Sequence, residues 1–187
     1  TGKLNKFFEE NFDAKPKGSL YLIKYQIKNH LKDLINNYYK PLISEERLTI
    51  IDTEKALNIS IGSFILKGRL DSIEKRGDKV YVIDYKTGAS PNYLKINFKK
   101  LNPEDRSSWD DAIGSIQLPF YILLYSKFSG LNPLDINAMF LFLGRSYIEK
   151  SIEAPLYEKN EEIQKYSILE DIIIKLLNEI IDPLLPF

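Results

Sequence analysis

Apolar positions recur at two different spacings along the chain, and these spacings predict where helices and strands lie. Between residues 20 and 39 they recur every three or four residues, with lysines on the opposite side, which predicts an amphipathic helix ended by Pro41. A second helix is predicted from an N-cap at Ser108 towards Phe128, with Pro119 either kinking it or marking its true start. Residues 161–181 have the pattern of a closing amphipathic helix.

Extended segments fill the space between the predicted helices. Three runs, at 48–61, 64–74 and 79–86, precede the second helix, and the last two are rich in Ile, Val, Leu and Tyr, which predicts an antiparallel sheet. Two further strands are predicted at 138–143 and 146–154, joined at Gly144. The order is therefore helix, three strands, helix, two strands, helix, with no internal repeat.

Composition narrows the class of protein. The 187 residues are 44% hydrophobic, which suits a single compact domain. Basic and acidic residues number 26 each, so a contact with a polyanion has to come from a local patch rather than from net charge. The absence of cysteine excludes disulfides, thiolate zinc sites and cysteine nucleophiles, and favours a reducing compartment such as the cytoplasm. No run approaches the ~20 apolar residues needed to cross a bilayer, so no membrane partner is expected.

The segment from 68 to 88 carries the candidate chemistry. Residues 77–78 are Gly-Asp, a two-residue hairpin signal between two strand-like runs. If Arg76 pairs with Lys79, opposed residues have numbers that sum to 155, which places Asp71 directly across from Asp84. Like charges so placed repel each other unless a cation lies between them. A divalent metal ion is the natural candidate for that cation.

The strand period of two puts Lys86 on the same face as Asp84, while Tyr85 points away and leaves its backbone carbonyl as a further metal ligand. Hard oxygen ligands suit Mg²⁺ or Mn²⁺, and the chemistry they indicate is phosphodiester hydrolysis. Lys86 would orient the attacking water or stabilise developing negative charge. The alternative is that Asp71 and Asp84 are ordinary solvated charges of a hairpin. Against this, Asp84 lies within an apolar run, where an unpaired carboxylate is costly.

Three short motifs in this order resemble a known family. Residues 68–71 read Gly-Arg-Leu-Asp, residues 83–88 read Ile-Asp-Tyr-Lys-Thr-Gly, and residues 117–121 read Gln-Leu-Pro-Phe-Tyr. The combination resembles the RecB-like, and specifically AddB-like, nuclease domains of the PD-(D/E)XK superfamily, over most of the chain. The resemblance implies an α/β (α+β) fold with a restriction-endonuclease-like core, in which helices flank a mixed central sheet that carries an antiparallel catalytic hairpin.

The resemblance also implies roles for individual residues. Asp71, Asp84 and the Tyr85 carbonyl would bind Mg²⁺ or Mn²⁺, and Lys86 would be the catalytic lysine. Gln117 would join the catalytic group, and Tyr121, Thr87 and Arg69 would lie where DNA is bound. Gln117 and Tyr121 are four residues apart and share a helix face. Alternatively, Gln117 is an exposed amide and Tyr121 is a core aromatic residue.

The first metal ligand of the family is ambiguous in this sequence. RecB-like enzymes usually supply a histidine from an upstream helix, and His30 is the one histidine in the chain. His30 serves, or the ligand was lost upstream, or the protein does without it; we favour His30 as a polar residue at a helix surface. Glu54 resembles an acidic residue that often precedes the hairpin, and is either a metal ligand or a solvated strand residue.

Basic residues in the loop before the second helix are candidates for nucleic-acid contact. Lys95, Lys99, Lys100 and Arg106 are interleaved there with Tyr93, Phe98 and Trp109. Such cations would engage phosphates and the aromatic rings would stack on bases, although charged loops are ordinarily just solvated. No base-reading device is recognisable, so sequence specificity is not expected. A second basic surface is predicted from Lys15, Lys17, Lys24, Lys28 and Lys32.

These features together predict a metal-dependent DNA nuclease, of exonuclease type on single strands or DNA ends, that acts in recombination or repair. We expect residues 1–187 to be one nuclease domain, cut from a longer protein with a fused or associated helicase. The resemblance implies that an iron–sulfur cluster would belong to a longer form. Two alternatives stay open: a catalytically silent DNA-binding or scaffolding module, and a small-molecule phosphoesterase.

Overall fold

The computed structural model describes residues 2–12, 16–46, 48–88, 90, 92, 94–157, 162–182 and 184. Among these residues, three α-helices and a π-helical segment precede the sheet, two α-helices lie between its third and fourth strands, and one α-helix follows it. The helices are α1 (Gly2–Asn11), α2 (Gly18–Asp33), a π-helical segment (Leu34–Tyr39), α3 (Lys40–Glu46), α4 (Ser107–Ala112), α5 (Gln117–Ser129) and α6 (Glu162–Ile181). The strands are β1 (Thr49–Ile61), β2 (Phe64–Arg76), β3 (Lys79–Lys86), β4 (Ile136–Phe142) and β5 (Glu153–Pro155).

The five strands form one sheet in the order β1-β2-β3-β4-β5. Pairing is antiparallel from β1 to β3, parallel between β3 and β4, and antiparallel again between β4 and β5. The parallel pair needs a crossover connection, and the segment that contains α4 and α5 provides it. The mixed sheet flanked by helices confirms the predicted restriction-endonuclease-like fold class.

The hairpin of β2 and β3 follows the predicted register from Arg76↔Lys79 to Ser72↔Ile83. Pairing ends there, one position before Asp71 and Asp84. β2 stays paired with β1 through this region, while β3 stays paired with β4 as far as Lys86. The two hairpin strands therefore diverge where the two aspartates lie.

The alternation of β2 side chains between the two faces of the sheet also changes, between Leu70 and Ile73. Leu66 and Leu70 belong to the core cluster beside α5, and so does Ile73, which strict alternation would place on the other face of the sheet. Glu54 of β1, opposite the change, has φ +53°, which is uncommon for a residue other than glycine. The irregularity in both strands gives Asp71 a position that regular pairing would not provide.

Each face of the sheet is covered by a different helical layer. Helices α5 and α6 pack on one face, where Val82, Ile122, Phe142 and Leu169 are buried. The π-helical segment and α3 cover the other face around Tyr38. All seven residues of β4 are buried, as expected for a strand enclosed on both faces.

Several element predictions are corrected by the structure. The first helix continues past Pro41 to Glu46, because the π-helical turn before Pro41 changes the hydrogen bonding that a proline ring would otherwise break. Pro119 is the third residue of α5 and marks the start of that helix, where its missing N–H is not needed. Helix α1 has no counterpart in the prediction.

Two further predictions were wrong in detail. Ser108 does not cap a long helix: it lies inside the short α4, and its hydroxyl is within hydrogen-bonding distance of the carbonyl oxygens of Asn102 and Asp105. The strand predicted at 146–154 is reduced to β5. Ile148 and Ile152 are buried from a loop and a 3-10 turn, so their apolar character reflects packing rather than strand alternation. Among the described residues, no helix is long and apolar enough to span a membrane.

Candidate active site

Asp84 is the most enclosed charged residue of the candidate site. β3 carries it to the side of the sheet that faces α5, where only 5% of its surface is exposed. Its Oδ1 accepts a hydrogen bond of 2.6 Å from Gln117 Nε2, and its Oδ2 lies 2.6 Å from Lys86 Nζ. The Lys86 ammonium is thus the charged partner of the buried Oδ2. That oxygen keeps lone pairs for a further ligand.

The Gln117 side chain links Asp84, Lys86 and Tyr121. Its Oε1 accepts from Lys86 Nζ at 2.8 Å, and its Nε2 donates to Asp84 Oδ1 and, at 2.8 Å, to Tyr121 Oη. This orientation matches the chemistry, since an ammonium can only donate and an ionised carboxylate can only accept. Gln117 is the first residue of α5, so the positive end of the helix dipole also lies beside Asp84.

Asp71 lies at the fork between β2 and β3. Its Oδ2 accepts a hydrogen bond of 2.8 Å from the backbone N–H of Tyr85. Because the strand pairing ends at Ser72↔Ile83, this side chain satisfies a backbone donor in the diverging part of the hairpin. Asp71 is thereby fixed against the chain segment that carries Asp84 and Lys86.

The two carboxylates influence each other electrostatically. Burial raises the pKa of Asp84 above its ordinary value, and the nearby negative charge of Asp71 adds to this effect, while Lys86 and Gln117 oppose it. Burial likewise raises the pKa of Tyr121, so its hydroxyl stays protonated. A buried carboxylate whose Oδ2 can accept a second partner, beside a second carboxylate, fits a hard divalent cation, which relieves both repulsion and burial cost.

Lys86 is held in place from several directions. It is 27% exposed, with its ammonium between Asp84 and Gln117 and 4.9 Å from the centre of the Phe140 ring. This arrangement fixes the direction of a long side chain that is otherwise flexible. The lysine can therefore present its charge to a phosphate at the edge of the site without a further loss of side-chain conformational entropy.

A buried polar network supports β3 from the other face of the sheet. The Tyr85 hydroxyl is 2.7 Å from that of Tyr39, which also donates to Glu74 Oε1 at 2.9 Å. Burial raises the pKa of both tyrosines, so they remain hydrogen-bond donors. The network attaches the strand that carries Asp84 and Lys86 to the π-helical segment.

The same network continues along β2. Arg76 donates to Glu74 Oε2 through Nε at 3.0 Å and Nη2 at 2.7 Å, to Glu153 at 2.8 Å and to the Tyr38 hydroxyl at 2.9 Å. Sequence reasoning missed these residues. The signal was present, because acidic and basic residues two positions apart in an apolar strand share a face and can pair. What the sequence did not show was that consecutive tyrosines would reach them from a π-helical turn.

The other predicted ligands lie apart from the aspartate pair. His30 is exposed on α2, a helix with no buried residue. The Glu54 carboxylate, although opposite Asp71 in the strand register, is turned towards solvent and pairs with Arg69 Nε at 2.8 Å. Within the described part of the chain, no three His, Asp or Glu side chains are grouped to share a metal. A cation would thus rely on the two aspartates with backbone, water and substrate oxygens.

The predicted DNA-contacting residues separate into different environments. Thr87 is exposed directly after β3, and Lys95 and Lys99 line a groove beside the site. Arg106 instead pairs with Glu179 Oε2 at 3.1 Å and lies over the Trp109 ring. Lys100 is exposed, and Lys17, Lys24, Lys28 and Lys32 lie in or just before the protruding α2. Tyr93 and Lys15 fall outside the described residues.

Comparison with known proteins gives one family. The model of the PD-(D/E)XK nuclease superfamily matches residues 3–187. No curated protein matches the chain. A solved structure described as the crystal structure of SSO0001 aligns with 92% of this chain and 70% of that chain, at 19% sequence identity and a TM-score of 0.30. Since the family model spans nearly every residue, this chain belongs to the PD-(D/E)XK nuclease superfamily.

Proposed function

We propose that this domain is a Mg²⁺- or Mn²⁺-dependent deoxyribonuclease of the RecB-like type, acting on single strands or DNA ends. The observation that carries the proposal is the cluster in which Gln117 bridges Asp84 and Lys86 while Asp71 lies beside them. It combines two acids, an ammonium and an orienting amide on one face of a hairpin. That set matches the needs of phosphodiester hydrolysis better than those of a purely structural site.

Asp71, Asp84 and the carbonyl of Tyr85 would hold the cation, which when bound supplies Lewis acidity to the phosphate and acidifies a water. In the reaction, a water oxygen adds to phosphorus, one P–O ester bond breaks, and the departing sugar oxygen takes up a proton. Lys86 orients the water or neutralises the charge that develops on the phosphate oxygens. Gln117 keeps the ammonium of Lys86 at the position where either task can be performed.

The wider role follows from the same proposal. RecB-like nucleases work with helicases, so we infer that the domain acts in DNA recombination or repair, in the cytoplasm, with a fused or associated helicase. Exonuclease action is the favoured mode. The substrate class is supported by basic side chains beside the site in a chain whose total charge is balanced.

The proposal is tested by comparing wild type with Asp84→Asn and Lys86→Ala on end-labelled single-stranded and duplex DNA with Mg²⁺ or Mn²⁺. Each substitution is expected to reduce the cleavage rate by at least ~10²-fold, since each removes a group that acts on the developing charge. The control is Asp78→Asn, at the exposed turn of the same hairpin, which should cleave as wild type does. Equal degradation by all four proteins would exclude the assigned site. Closed circular single strands should resist if the enzyme needs an end.

A catalytically silent DNA-binding module is the second candidate. The observation in its favour is that His30 is exposed on α2 and lies outside any metal-binding group of the described residues. Such a module would bind Mg²⁺ or Mn²⁺ through the aspartates and bind DNA, but wild type would leave every labelled strand intact. Calorimetric metal titration beside the cleavage assay distinguishes the two functions.

A further inference from the structure

A groove of about 710 Å³ opens between the segment that follows β3 and the β4–β5 side of the sheet. We call it the basic groove and define it by its charged and apolar lining. Leu94, Ile96 and Phe98 line it on the segment after β3, and Leu118, Phe140 and Leu156 line it on the core side. Its cationic residues are Lys95, Lys99, Arg145 and Lys165.

The charge of the basic groove differs from that of the molecule. Among the described lining residues, Lys95, Lys99, Arg145 and Lys165 are cationic and Glu153 is acidic. The Glu153 carboxylate accepts from Arg76 and the Tyr38 hydroxyl, and Arg145 donates to the Ser151 carbonyl oxygen. The whole chain has 26 basic and 26 acidic residues. A concave surface with walls of low polarity and a local excess of positive charge concentrates polyanions. The groove therefore has the charge that a phosphodiester backbone requires.

Two residues of the groove lining adjoin the candidate active site. Leu118, in its lining, directly follows Gln117, which binds both Asp84 and Lys86. Phe140, also in its lining, lies under the Lys86 ammonium at 4.9 Å. A strand bound in the groove would therefore lie next to the residues that surround Lys86.

The apolar lining indicates which form of nucleic acid fits. Base faces are hidden in a duplex but available in a single strand, where they stack on aromatic and apolar side chains. Phe98 offers such a ring, half-buried, with the Lys165 ammonium 4.6 Å from its centre. The neighbouring Lys99 also lines the groove, so its ammonium can engage a phosphate while the ring contacts the base. This pairing of functions is typical of surfaces that bind single strands without reading sequence.

We propose that the basic groove binds the single strand that flanks the scissile phosphate, with its phosphates on Lys95 and Lys99 and its bases against Phe98 and neighbouring apolar residues. The assignment of this strand as substrate rests on the proposed nuclease function, whereas the binding itself does not. The proposal also separates the basic residues between β3 and α4 into those that line the groove and those that do not. Lys99 belongs to the groove, whereas Lys100 does not line it and Arg106 pairs with Glu179.

Neighbouring lysines give a matched test. Lys99→Glu and Lys100→Glu reverse charge at consecutive exposed residues, and only the first lines the groove. Binding of a fluorescent oligothymidine is measured by anisotropy in EDTA, so that no cleavage occurs. Lys99→Glu should weaken binding by about tenfold at low salt and reduce the salt slope by about 0.7, as expected for one lost single-strand phosphate contact. Lys100→Glu should weaken binding clearly less than Lys99→Glu, and at about 0.15 M salt it should bind within about twofold of wild type, because a charge outside the groove is then screened beyond about 8 Å.

Three results would overturn the groove assignment. These are equal weakening by the two substitutions, unchanged binding by Lys95→Glu/Lys99→Glu, and equal affinity of wild type for a duplex of the same length. The nuclease proposal fails separately, if wild type binds the strand through Lys99 but no divalent metal supports cleavage. Conversely, loss of cleavage in Asp84→Asn with no effect of Lys99→Glu on binding would support the nuclease proposal and contradict the groove assignment.

Discussion

The hydroxyl groups of Tyr39 and Tyr85 lie 2.7 Å apart, on the face of the sheet opposite the candidate active site. Tyr85 stands between Asp84 and Lys86 in β3, so its ring is fixed from one face of the sheet while its N–H is fixed by Asp71 of the neighbouring strand β2. The strand segment that carries the acid and the lysine is consequently held both from that face and from β2. Such support is what keeps reactive side chains within a productive geometry.

Removing the Tyr39 hydroxyl tests this support. Tyr39→Phe leaves the Tyr85 hydroxyl and Glu74 Oε1 each without one buried partner, so the free energy of unfolding should fall by about 1–3 kcal/mol. If Tyr39 positions β3, kcat should also fall several-fold with little change in KM. Urea unfolding and steady-state cleavage measure the two effects. Tyr21→Phe, on the exposed face of α2, is the control and should change neither. Loss of stability at an unchanged kcat would leave Tyr39 with a structural role alone.

Two glycines near the site should differ in their tolerance of a methyl group. A Cβ on Gly144 would meet the backbone carbonyl oxygens of Thr87 and Gly88, which cannot move without shifting the chain after β3. A Cβ on Gly68 would meet the end of the buried Leu124 side chain, which can adjust in part. Overpacking costs about 1–3 kcal/mol, so Gly68→Ala should fall in that range and Gly144→Ala at or above its upper end. Thermal unfolding compares them; the reverse order would show that the region around Thr87 adapts more easily than α5.

Much of the site could be predicted because a two-residue turn fixes the register of a hairpin. With residues 77–78 as the turn, the pairing from Arg76↔Lys79 to Ser72↔Ile83 followed from counting. The spacing of Gln117 and Tyr121 likewise fixed a shared helix face, and their side chains are hydrogen-bonded to each other. In both cases the relationship is local, and local geometry determines it.

Relationships between distant elements could not be predicted. The end of pairing before Asp71 depends on β1 holding β2 away from β3, with Glu54 at φ +53°, and no pattern within the hairpin encodes that competition. Helical periodicity did not distinguish a π-helical turn from an α-helical one, so Tyr38 and Tyr39 were not assigned to the buried network. The basic groove required knowing that Arg145 and Lys165 meet Lys99 across three segments.

Metal binding should stabilise the fold only when the aspartate pair is intact. At ten times its dissociation constant, a ligand of the folded state adds about 1.4 kcal/mol, which corresponds to roughly 3–6 °C in Tm for a domain of this size. We expect that shift for wild type with Mg²⁺ or Mn²⁺ and for Asp78→Asn, and little or none for Asp84→Asn at the same concentration. Differential scanning calorimetry provides the measurement. A full shift in Asp84→Asn would mean that the stabilising cation binds elsewhere.

The pH dependence of stability should report the burial of Asp84 directly. Burial raises the pKa of this carboxyl in the folded protein above its value in the unfolded chain. The folded state then retains the Asp84 proton at pH values where the unfolded state has lost it, so this residue lowers stability as the pH rises through that interval. The cost is complete above the folded pKa and absent below the unfolded pKa.

Asp84→Asn replaces the carboxyl with a neutral group of the same shape. In metal-free buffer, its free energy of unfolding should therefore rise relative to that of wild type as the pH rises from acid to neutral. Urea unfolding in EDTA at a series of pH values measures the difference between the two proteins. Asp78→Asn is the control, because it removes one carboxylate that is exposed. A difference between Asp84→Asn and wild type that stays constant with pH would mean that Lys86 and Gln117 fully compensate the buried charge. In that case the affinity for a cation would have to come from coordination geometry rather than from relief of an unfavourable charge.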